Sequence, residues 1–70
     1  MRFFSKELKN KADTRVAKME TSALIGWLDS SIMGFGQSFD DWRFRNGSKE
    51  TVTESITIIN SIWDELERRS

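Results

Sequence analysis

The chain has no cysteine, no histidine, no tyrosine and no proline among its 70 residues. Without cysteine there are no disulfides. Without cysteine and histidine together, zinc, haem and iron–sulfur sites lose their usual ligands, and only an all-oxygen site for a hard cation survives as a metal option. The same absences remove a thiolate nucleophile, a Ser-His-Asp triad and imidazole acid–base chemistry. Carboxylate, lysine and hydroxyl chemistry remain, but so short a chain scarcely encloses the pocket they would need. The expectation is a non-enzyme without metal or cofactor. No window approaches the roughly 18 apolar residues of a membrane span. The start, Met-Arg-Phe-Phe-Ser-Lys-Glu-Leu-Lys, meets charge at Lys6 and Glu7 before any apolar signal region, which reads as a soluble, cytoplasmic protein.

The length allows one domain, residues 1–70, near the lower limit at which a single core supports itself. Such a core rarely supplies more than about 3 to 5 kcal/mol, so a small domain usually adds disulfides, a metal or a partner chain. With the first two excluded, company is the expected source of extra stability. The 11 basic and 11 acidic side chains cancel, yet they are segregated: residues 1–18 carry +4, 19–41 carry −4, 42–47 carry +2 and 48–70 carry −2. A basic arm lying on acidic surface of its own chain or a copy is the simpler explanation, and an arm meeting phosphate or anionic lipid is the functional one.

Hydrophobic spacing predicts an all-α protein, an antiparallel helical hairpin with an N-terminal arm. Phe4, Leu8 and Ala12 recur at intervals of four, giving a short amphipathic helix over 4–12 with Ser5 as a cap, inside a basic arm of residues 1–13. Either this helix runs on into the next one, or Asn10 with Asp13, or Thr14 alone, supplies a break and a new cap. The hairpin spans 14–70. Its first helix, about 14–35, places Val16, Ala23, Leu24, Trp27, Leu28, Ser31, Ile32 and Phe35 in one arc. Gly34 and Gly36 are expected to end it, since two glycines cost an exposed helix roughly 2 kcal/mol. A short helical or irregular connector follows, capped by Ser38 and closed by Asn46-Gly47. The second helix, about 49–68, starts at a Ser48 cap, carries the stripe Val52, Ile56, Ile59, Trp63, Leu66, and ends on Arg68 and Arg69. A strand also suits the β-branched Thr51–Ile59 segment, but the stripe lasts four turns and no second strand-like run exists to pair with it.

Several residues exceed what a monomeric hairpin needs. Ile58 and Ile62 form a second apolar edge on the last helix, and Ile25 and Met33 lie outside the main arc of the first, so these four are assigned to an oligomer or partner interface. The row Ser22, Gly26, Ser30, Gly34 repeats a small residue at every fourth position. It either admits a close helix neighbour or marks a side where the arm excludes bulk. Glu20 falls in the apolar arc, where a carboxylate either sits at the arc's wet end or pairs with a cation such as Arg43 or Arg45. Trp42-Arg43-Phe44-Arg45 alternates rings and guanidinium groups. With Lys6, Lys9, Lys11 and Arg15 it forms the candidate contact for nucleic acid or a nucleotide-like anion. Against this stands a structural role, with the rings as plugs and the arginines paired to Asp40 and Asp41. Phosphate-loop, dinucleotide and calcium-loop motifs are absent.

No stretch is distinctive enough to carry a family resemblance. The sequence therefore favours a non-enzymatic helical protein that self-associates and serves as an interaction, assembly or inhibitory module. A heterologous protein partner is the lesser option. The length suggests a phage or bacterial accessory product. The alternative is an anion or nucleic-acid binding module using the basic arm with Arg43 and Arg45. A third reading attaches the chain to a membrane surface through Phe3, Phe4 and Leu8.

Overall fold

In the computed structural model, which describes residues 2–70 and their side chains from residue 6 onward, the chain forms α1 (Arg2–Ala17), α2 (Thr21–Arg45) and α3 (Lys49–Arg69). No strand occurs among the described residues. The Ser5 cap and the Phe3 and Phe4 contacts fall outside the described side chains.

The expected break near Asn10–Thr14 does not occur. Thr14 Oγ1 instead donates to the Asn10 carbonyl one turn back (3.0 Å), and Lys9 Nζ pairs with Asp13 at 2.9 Å, so the polar side chains serve the helix interior. The chain turns at Lys18–Glu20, where the amides of Lys18 and Met19 donate to Arg15 O (3.1 Å) and Val16 O (3.2 Å) and tighten the last turn. Glu20 is the extended residue before α2, with φ −74° and ψ 155° and no side-chain capping bond. It is exposed, so the cation expected for a buried carboxylate is not needed.

α2 runs unbroken through Gly34 and Gly36. The reason lies in the side chains beside them. Phe35 stacks on Phe39 with centroids 5.9 Å apart, Phe39 meets Trp42 at 5.8 Å, and Arg43 lies 4.9 Å over Phe39. Aromatic pairs at about 0.5 to 1.5 kcal/mol each offset the roughly 2 kcal/mol glycine cost. No connector helix separates from α2. It ends where expected: Asn46 takes the left-handed conformation (φ 61°), and the Gly47 amide donates to Asp41 O at 2.9 Å. A Cβ on Gly47 would sit 3.1 Å from the Asp41 carbonyl group, which explains glycine at that position.

α3 opens on Ser48, whose hydroxyl accepts from the Glu50 amide (3.1 Å). Within the β-branched run, which is helical throughout, the Thr53 and Thr57 hydroxyls donate to Lys49 O and Thr53 O (3.2 and 2.9 Å). Both α1 and α2 pack against α3. Val16, Leu24 and Ile62, one from each helix, form the buried cluster, with Met19, Trp27, Leu28, Ile58 and Leu66 packed around it.

α3 is the helix on which the expected stripe is displaced. Ile62 is fully buried, whereas Ile56 and Trp63 are 42% and 52% exposed. A helix with neighbours on two sides buries two flanks, and Ser61 and Glu65 accordingly join Ile62 in the interior.

Arg69 locks this junction. Its Nη2 donates to Val16 O (3.1 Å) and Met19 O (2.7 Å), Nη1 to Thr21 Oγ1 (3.1 Å), and Nε to Glu65 Oε2 (2.8 Å). One guanidinium thus satisfies carbonyls freed where α1 ends, reaches the start of α2, and neutralises a buried carboxylate on its own helix.

Candidate functional site

The four residues assigned to an interface separate into two pairs. Ile25 and Met33 are 56% and 65% exposed. Ile62 is fully buried and Ile58 packs on the same cluster, so the edge they form faces the chain's own core. Their place in solvent is taken by Ile32, Ile56 and Trp63, exposed by 52%, 42% and 52%.

These residues gather on one face. α1 meets α2 through Arg15, whose guanidinium lies 4.5 Å over the Trp27 ring, and approaches α3 through Lys9, 3.9 Å from Asp64. At 100° per residue, Ile25 and Ile32 lie about 140 to 160° around α2 from Trp27. Ile56 and Trp63 lie a similar angle around α3 from the buried Ser61. The flanks opposite α1 on both helices therefore belong to the same uncovered side of the α2–α3 pair. Met33 is not among them, since it lies on the back of α2, about 180° from Leu24.

Ser22, Gly26, Ser30 and Gly34 are exposed. Nothing stands within 4 Å of a Cβ built on Gly26 or Gly34, so among the described residues the arm does not exclude bulk there and no helix packs on the row.

The basic candidates are dispersed. On α1, Lys9 is held by Asp13, Arg15 by the Trp27 ring, and Lys6 and Lys11 are exposed. The Asp13 carboxyl lies below its ordinary value, chiefly through the bond from Lys9; the buried Ser61 hydroxyl adds a weaker pull without closing a hydrogen bond. At the end of α2, Arg43 pairs with Asp40 (2.9 Å) and Arg45 with Asp41 (3.6 Å). Arg43 is also 4.4 Å over Phe44. Trp42, 37% exposed, lies under Lys49, whose Nζ is 5.8 Å from the ring. Phe44 is 72% exposed and plugs nothing. Gln37, Asp40, Asp41, Phe44 and Arg45 line an open depression of about 460 Å³, whose two carboxylates oppose an anionic guest. A smaller cleft of about 140 Å³ runs between Leu8, Lys11, Ala12, Arg15, Trp27 and Ile58.

Among the described residues no group of three or more acidic side chains is placed to hold a metal ion. Among the same residues no helix is long and apolar enough to cross a membrane. Comparison with protein-family models, curated proteins and solved structures finds no match.

Proposed function

We propose that this chain is a non-catalytic helical interaction module that works as a self-associated assembly. The observation that carries the reading is the surface left uncovered. A folded monomer of 8.2 kDa is expected to expose about 4,500 Å², and this chain exposes 5226 Å². The excess of about 700 Å² is close to one partner's share, about 800 Å², of a standard protein interface. Ile25, Ile32, Ile56 and Trp63 are among the exposed large hydrophobic residues, and among the described residues the buried hydrophobic side chains are few.

In this reading α2 and α3 form an antiparallel hairpin. Two observations support it: a connector of three residues between them, and the contact from Arg69 at the end of α3 to Thr21 at the start of α2. α1 covers one face of the hairpin and the assembly covers the other. The alternative, an anion-binding module, is disfavoured because Arg43 and Arg45 are engaged by Asp40 and Asp41 and the α1 cations stand on another helix.

Light scattering on the purified chain tests the proposal. A solution mass of at least twice 8.2 kDa at micromolar concentration is expected; a monomer at 100-fold higher concentration would overturn it.

A further inference from the structure

Resting on the self-association reading, we propose that the occupant of the Ile25, Ile32, Ile56, Trp63 face is a second copy of this chain. It is related by a two-fold axis that reverses helix direction, so that α3 lies over α3 of the copy. The contact is then isologous: each residue of the face meets the face of the other copy.

Charge selects this arrangement over the other two-fold. Lys49 stands at the connector end of the face. On the same flank of α3, at five whole turns' spacing, Glu67 stands at the opposite end, joined by Asp29 on α2. None of the three takes part in an ion pair among the described residues, Lys49 meeting only the Trp42 ring at 5.8 Å, and Arg43 and Arg45, the other cations at the connector end, are already engaged by Asp40 and Asp41. A two-fold that reverses the helices sets Lys49 of each copy over Glu67 of the other, twice. A two-fold parallel to the helices stacks the cationic ends together and the acidic ends together, and like-charge juxtaposition opposes it.

The midpoint between Lys49 and Glu67 falls beside Ile59 and between Ile56 and Trp63, so the charge pairs bracket the apolar strip. The exposed surface of the whole chain exceeds that expected of a monomer of its mass by about one partner's share of a standard interface. Met33, on the back of α2, takes no part.

The experiment is a set of dimer dissociation constants by sedimentation equilibrium, with helicity followed by circular dichroism. Lys49→Glu and Glu67→Lys are each expected to weaken the dimer by roughly ten-fold, because the axis makes every lost pair count twice. The double reversal is expected to restore it. Both changes agree with the α3 dipole, so neither is expected to unfold the monomer. Ile56→Glu is expected to abolish the dimer and Met33→Glu to leave it intact. Tighter association of Lys49→Glu would overturn the reversed arrangement. A dimer that survives Ile56→Glu, or is lost in Met33→Glu, would overturn the face while leaving self-association standing. A monomeric parent would overturn both.

Discussion

Removing the Arg69 guanidinium should destabilise the chain more than any other single change at its surface. Arg69→Ala deletes four hydrogen bonds, to Val16 O, Met19 O, Thr21 Oγ1 and Glu65 Oε2. It also strands Glu65, whose side chain is 8% exposed. Arg68 is the one cation left nearby, 3.1 Å from Glu65 Oε1 but without a hydrogen bond to it. Breaking a buried ion pair by deleting one partner costs about 3 to 5 kcal/mol. Because Arg69 is itself 26% exposed, screening brings the expected loss to about 2 to 4 kcal/mol. A domain of this length holds roughly 3.5 to 10 kcal/mol in total, and each kilocalorie moves the midpoint by about 4 to 8 °C. The variant should therefore melt roughly 10 to 25 °C below the parent, followed by circular dichroism at one fixed concentration, since association also moves the midpoint. Arg69→Lys should recover only part of the loss, because one ammonium cannot reproduce the fork. Arg68→Ala should cost under about 0.5 kcal/mol. The reasoning fails if Arg69→Ala melts within about 3 °C of the parent.

Other substitutions probe the remaining elements. Ile62→Ala, at a fully buried position, should cost about 2 to 4 kcal/mol in urea denaturation, whereas Ile56→Ala, 42% exposed, should cost under about 1 in the monomer; equal losses would restore the stripe read from spacing. Gly34→Ala meets nothing within 4 Å and should raise stability by up to about 1 kcal/mol. Gly47→Ala forces its Cβ to 3.1 Å from the Asp41 backbone and should lower stability by about 1 kcal/mol or more, while Asn46→Gly, at φ 61°, should be tolerated within a few tenths; equal tolerance at both would refute the tight cap. Because the folded Asp13 carboxyl lies below 3.8, its contribution is complete above the unfolded value and is lost as pH falls through the lower folded one. Asp13→Asn should thus flatten the loss of stability below about pH 4, by less than about 1 kcal/mol for so exposed a pair.

Local chemistry was legible in the sequence, and tertiary choice was not. The Asn46-Gly47 stop, the Ser48 cap and the start of α3 depend on three consecutive residues whose preferences do not need the rest of the chain. The break between α1 and α2 is different. Asn10, Asp13 and Thr14 are good caps, yet they lie within a continuous helix, and the chain turns at Lys18–Glu20, which carries no glycine and no side-chain cap. What satisfies that turn is Arg69, about 50 residues away, a contact that leaves no mark in local residue spacing. Gly34 and Gly36 follow the same logic: their propensity cost is local, whereas the Phe35, Phe39, Trp42 ladder that offsets it runs on along the helix from between them.

The position of α1 also decides which residues of α3 are core and which are available to another molecule. A stripe at alternating spacings of three and four identifies an apolar flank but does not say how many neighbours the helix has. With one neighbour, Val52, Ile56, Ile59, Trp63 and Leu66 would all turn inward and Ile58 with Ile62 would be left over. With α1 on the far side, Ile58 and Ile62 are drawn into the cluster with Val16 and Leu24, Ser61 and Glu65 are carried in beside them, and the stripe rotates until Ile56 and Trp63 emerge. The buried Glu65 follows from that rotation, and so does its need for Arg69. The same rotation aligns Ile56 and Trp63 with Ile25 and Ile32, so the contact that closes the core on one side of the α2–α3 pair creates the apolar face on the other.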